Sequence, residues 1–121
     1  MGFNQLQDIV YLKKLKFIVE LNLENNLISD LKFLMASDSF PYLKKINLQG
    51  NKIASLNPIN IPNLLHINLN GNKMITLDDF EGHQKVEVIE LRKNKLTSLQ
   101  GLHDLLSLRE LYVADNQLIN F

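Results

Sequence analysis

Three histidines, His66, His83 and His103, are the residues here whose side chains could hold a metal or take a proton near neutral pH. None has the paired spacing of a zinc site. The His103-Asp104 pair has no nucleophile arranged with it, which leaves a catalytic triad unsupported. No Gly-x-x-x-x-Gly-Lys phosphate loop occurs. No catalytic residue, metal site or cofactor is therefore expected, and the chain reads as a non-enzyme. A more regular candidate is a row of asparagines, Asn4, Asn26, Asn51, Asn72, Asn94 and Asn116, spaced 22, 25, 21, 22 and 22 residues apart.

Each asparagine closes the same pattern. Its most regular copy, Val86-Glu87-Val88-Ile89-Glu90-Leu91-Arg92-Lys93-Asn94-Lys95-Leu96, places apolar residues at positions 1, 4, 6 and 11 and Asn at 9. Ile18-Leu21-Leu23-Asn26-Ile28, Leu43-Ile46-Leu48-Asn51-Ile53, Leu64-Ile67-Leu69-Asn72-Met74 and Leu108-Leu111-Val113-Asn116-Leu118 repeat it. A fixed period of this length predicts a solenoid, in which each coil is buried by its neighbours. Period two around positions 4 to 6 predicts a short strand with one face buried. Beyond position 11 the apolar residues fall every third place, as in Leu96, Leu99, Leu102 and Leu105. That spacing suits a 3₁₀ turn or one or two turns of α-helix.

The expected fold is therefore an α/β solenoid, a right-handed curved stack. A parallel β-sheet lies on its concave side and short helical or 3₁₀ segments on its convex side. One domain, 1–121, contains a partial repeat 1–17, repeats 18–42, 43–63, 64–85 and 86–107, and a partial repeat 108–121. The longest helix is expected over 30–37. Pro58 and Pro62 bar one in the second return segment, and Asp78 and Asp79 are placed to cap a turn at Leu77–Phe80. Both ends fall inside repeats, and Phe121 stands at position 14 of an unfinished one, so the chain reads as a piece of a longer solenoid.

Composition narrows the partner. Thirteen basic and thirteen acidic side chains cancel, so no global field draws nucleic acid or an anionic membrane. Cysteine is absent, no Asn-x-Ser/Thr acceptor occurs, and the N-terminus lacks the pattern of a signal peptide. No apolar run reaches the length of a membrane span. The expectation is an intracellular, cytoplasmic protein that takes no small-molecule substrate and binds protein partners within a larger assembly.

The 22-residue period, with apolar residues at 1, 4, 6, 11, 14, 17 and 20, resembles one class of leucine-rich repeat. That class occurs in the regulatory subunit of protein phosphatase 1, a dynein-associated light chain, and ciliary and spliceosomal proteins. The order of 25-, 21- and 22-residue repeats is similar to that of the leucine-rich-repeat proteins of ciliary radial spokes. The stretches 59–72 and Glu90–Leu96 carry that likeness. The resemblance implies a protein-interaction scaffold of the ciliary axoneme, with a phosphatase-regulatory or signalling adaptor as the alternative. It also implies that the ladder Asn26, Asn51, Asn72, Asn94 and Asn116 is structural, bonding backbone groups of its own turn and of the adjacent coil.

The solvent face of the strands is then the place to look for a binding site. Position 5 reads Asn22, Asn47, Asn68, Glu90, Tyr112, and position 7 reads Glu24, Gln49, Asn70, Arg92, Ala114. Short amides, expected to be satisfied by water, give way to charge and an aromatic ring between the third and fourth repeats. Tyr and Arg are the types enriched at binding hot spots, so Glu90, Arg92, Glu110 and Tyr112 are the expected partner-binding residues. Lys52, Lys73 and Lys95 line one edge. A solvated edge that blocks sheet association is the plainer meaning, and docking to an acidic surface the sharper one.

Overall fold

The computed structural model describes residues 17–29, 31, 40–56, 61–80 and 83–118, with the side chains of 79 and 103 excepted. Five three-residue strands make one parallel sheet in sequence order: β1 (Glu20–Asn22), β2 (Lys45–Asn47), β3 (His66–Asn68), β4 (Val88–Glu90) and β5 (Glu110–Tyr112). The register is set by the repeat: Leu21, Ile46, Ile67, Ile89 and Leu111 stand side by side at position 4. A slip of one residue would turn this apolar row to solvent, so burial fixes the pairing.

The strands are short because the chain turns at both ends, yet the coils stay tied beyond them. At position 2 one carbonyl takes two amides of the next coil, as Lys44 O does from Leu65 and His66 at 2.8 and 3.0 Å. Past the strand, Lys52, Lys73 and Lys95 donate their N–H groups to Ile28, Ile53 and Met74 of the preceding coil at 2.8–2.9 Å. The turn between these ties needs a left-handed residue at position 8. Asn25, Gly50, Gly71, Lys93 and Asp115 all have φ between 56° and 73°, a conformation natural to glycine and tolerated by Asn and Asp.

Positions 1, 4, 6 and 11 of the second to fourth repeats build a continuous core, closed from behind by Leu31, Leu56, Leu77 and Phe80. At the last repeat Leu108, Leu111, Val113 and Leu118 are only partly buried. Among the described residues the return segments contain 3₁₀ turns, Asp78–Phe80 and Leu102–Asp104, and no α-helix. Of the short helical or 3₁₀ segments expected on the convex side, the described residues show the 3₁₀ form, whose three-per-turn geometry matches apolar residues three apart. The helix expected over 30–37 lies outside the described residues except for Leu31, as do Asn4, Pro58 and Phe121. A cap is found at Thr76, whose Oγ1 accepts the Asp78 N–H at 3.1 Å, and Ser98 does the same for Gln100 at 3.0 Å, while the Asp79 side chain lies outside the described set. A hydroxyl bonding two residues ahead is the local turn that Ser and Thr favour.

Candidate functional site

The asparagine ladder comes first, because it holds the strand ends on which the open face rests. Asn72 is 6% exposed. Its Nδ2 donates to Leu69 O of its own repeat at 3.0 Å and to Leu48 O of the repeat before at 2.9 Å, and its Oδ1 accepts the Ile53 N–H at 3.0 Å. Asn51 and Asn116 make the same set on Leu48, Leu23 and Ile28, and on Val113, Leu91 and Leu96. Asn94 binds Leu69 O and Met74 N–H of the preceding repeat and Arg92 O of its own. Asn26 donates to Leu23 O and Glu24 O, while its buried Oδ1 has no partner among the described residues. Backbone groups buried at these turns would otherwise go unpaired.

A second set of asparagines stands on the open face. Asn22, Asn47 and Asn68 each accept the N–H two residues ahead, on Glu24, Gln49 and Asn70, at 3.0 Å. These are Asx turns. The expectation that water alone satisfies these amides is corrected: each caps the end of its own strand.

At β4 that asparagine is replaced by Glu90, and a charged network begins. Glu90 Oε2 meets His66 Nε2 at 2.7 Å, and its Oε1 accepts from Arg92 Nη1 at 3.2 Å and Asn70 Nδ2 at 3.3 Å. The Arg92 guanidinium lies over the Tyr112 ring, 4.2 Å from its centroid, a favourable cation–π geometry. Tyr112 donates its hydroxyl to Glu110. Tyr112 titrates above its ordinary value, first because it donates to Glu110 and next because that carboxylate's charge opposes a phenolate; Arg92 acts in the other sense.

The structure thus brings Glu90, Arg92, Glu110 and Tyr112 into one chain of contacts across β4 and β5. Sequence reasoning missed His66 and Asn70 as members. The available signal was that positions 3 and 7 of one strand lie diagonal to position 5 of the next, within reach of long side chains. The Glu90 side chain is 18% exposed, so the network pre-orders the arginine and leaves the ring and guanidinium facing outward. One Arg92 nitrogen already serves Glu90, which leaves less than the full guanidinium fork for a partner carboxylate.

His83 does not join it. His83 occupies position 20, the place filled by Leu105 one repeat later. Its Nε2 donates to Ile61 O at 2.9 Å and its Nδ1 accepts the Val86 N–H at 3.2 Å, which makes it part of the return segment. The His103 side chain lies outside the described set. No cluster of metal-ligating side chains occurs among the described residues, and no helix there is long and apolar enough to cross a membrane. A depression of about 310 Å³ lies over β1 and β2, lined by Glu20, Leu21, Asn22, Lys45 and Asn47. Lys52, Lys73 and Lys95 are exposed along the edge beyond the strands.

A family model described as Leucine Rich Repeat matches residues 42–64. No curated protein matches the chain. The repeat spacing, the parallel stack and that match together support a leucine-rich-repeat protein. Domains of this kind are typically non-enzymatic modules that bind other proteins.

Proposed function

We propose that this chain is a non-enzymatic protein–protein interaction scaffold whose contact patch is the open face of β4 and β5. The supporting observation is the pre-ordered set His66–Glu90–Arg92–Tyr112–Glu110, in which the arginine is held between a carboxylate and a ring. Side chains fixed before contact lose less entropy on binding, and Tyr adds broad area with few rotamers. Among the described residues, the lining of the depression over β1 and β2 includes no aromatic side chain. The setting we favour is intracellular, in a ciliary axonemal assembly such as the radial spoke, supported by the order of repeat lengths. A phosphatase-regulatory or signalling adaptor is the second reading, supported by Glu90, Glu110 and Tyr112 as acidic and aromatic groups on one patch. Titration with the native partner tests the patch. Tyr112→Ala costs at least about 1 kcal/mol of affinity, as a modest hot spot does, while a folded Asn47→Ala leaves it unchanged. The opposite pattern moves the patch to β1 and β2.

A further inference from the structure

Asn70 is followed by Gly71, the one Asn-Gly pair in the sequence. In such a pair the glycine nitrogen reaches the asparagine side-chain carbon easily, because no Cβ stands in the way. The Gly71 nitrogen loses its proton and bonds to Asn70 Cγ. Nδ2 leaves as ammonia and a five-membered succinimide remains. One solvent water then opens the ring at either carbonyl, leaving aspartate or isoaspartate at 70. The reaction needs a free amide and a side chain able to turn back on it.

The fold denies both. The Gly71 N–H is donated to Arg92 O at 2.8 Å. Asn70 Oδ1 accepts the Arg92 N–H at 2.7 Å, and Asn70 Nδ2 donates to Glu90 at 3.3 Å. All three restraints come from the fourth repeat, so reactivity depends on whether that repeat is docked on the third. We propose that Asn70–Gly71 is a deamidation site that the fourth repeat holds unreactive, so that modification marks an opening of the stack there. The product also resists re-closure. Where Nδ2 donated to Glu90, a carboxylate now faces a carboxylate, beside the Arg92–Tyr112 pair.

The test is peptide mapping by mass spectrometry of the whole chain incubated at mildly alkaline pH, native and in guanidinium. Asn70 should react first in the unfolded chain and at least about tenfold more slowly in the native one, because only open molecules react. Asn94→Ala, which loosens the fourth repeat, should speed the reaction at Asn70. If that variant does not fold, graded sub-denaturing guanidinium on the wild type replaces it, and the rate should climb with Gly71 amide exchange. The deamidated fraction, separated by charge, should exchange its Arg92 amide faster than the parent. Equal native and unfolded rates, another asparagine reacting first, or a rate that stays flat while Gly71 exchange rises would overturn the proposal. Unchanged Arg92 exchange in the deamidated fraction would overturn the claim about re-closure.

Discussion

Replacing Asn72 with alanine removes the middle rung of the ladder, and its cost can be worked from the bonds lost. The Ile53 N–H loses its acceptor, and Leu48 O and Leu69 O each lose a donor. One buried group left unpaired costs about 1–3 kcal/mol. Leu48 O keeps the Asn51 amide and Leu69 O keeps the Asn94 amide, so the Ile53 N–H is the group left unpaired. A loss of about 2 kcal/mol is expected, from that stranded amide and the weakened pairing of the two carbonyls. Asn68→Ala, at the same level but on the open face, loses the Asn70 N–H at 3.0 Å and an exposed contact to Gln49 at 3.1 Å. Solvent can replace both, so its cost is about 1 kcal/mol or less. Asn26→Ala should fall between them, since its Oδ1 has no partner to strand among the described residues. Urea melts of the three variants measure this. At a slope of about 2 kcal/mol/M, Asn72→Ala lowers the midpoint by about 1 M. Equal shifts for Asn72→Ala and Asn68→Ala would refute the division into a buried ladder and an open face.

The turn glycines separate backbone strain from crowding. Gly71 has φ of 70° with its nearest neighbours 3.6 Å from an added Cβ, so Gly71→Ala carries only the left-handed penalty of about 1–2 kcal/mol. Gly50, at 73°, would place that Cβ 2.3 Å from Asn25 Oδ1. That oxygen ends a flexible side chain that can swing aside, so Gly50→Ala should melt close to Gly71→Ala, and a much lower melting point would show that the Asn25 side chain is held in place. Ultraviolet titration reads Tyr112 directly. The folded state favours the neutral phenol, so this contribution to stability is complete below the unfolded tyrosine value and is lost as pH rises through the folded one. Glu110→Gln should bring the Tyr112 midpoint down; an unmoved midpoint would remove Glu110 as its cause.

Much of this architecture is legible in the chain, and the reasons are local. Leu21, Ile46, Ile67 and Ile89 reveal the register because a two-residue period and burial on one side leave no alternative pairing. The return segments are less legible. Leu99, Leu102 and Leu105, three apart, serve 3₁₀ and a short α-turn alike, and the choice depends on how little chain must span the back of a coil. The recurrence of Asn at position 5 carried a signal of Asx turns, overlooked because an outward-facing side chain was equated with a solvated one. At the open face, Glu90, Arg92, Glu110 and Tyr112 follow from position alone. The part played by His66 depends on the diagonal between β3 and β4, which only the stacked coils supply.

Photo-crosslinking reads directly which part of the sheet a partner touches. A photoreactive residue is placed singly at 112, 47 or 52, on the β5 patch, the β1–β2 depression and the lysine edge respectively, each variant confirmed as folded. Irradiation with the native partner should give a covalent adduct from position 112, reduced by Arg92→Ala, and none from 47 or 52. An adduct from position 47 or 52 with none from 112 would place the contact away from β4 and β5.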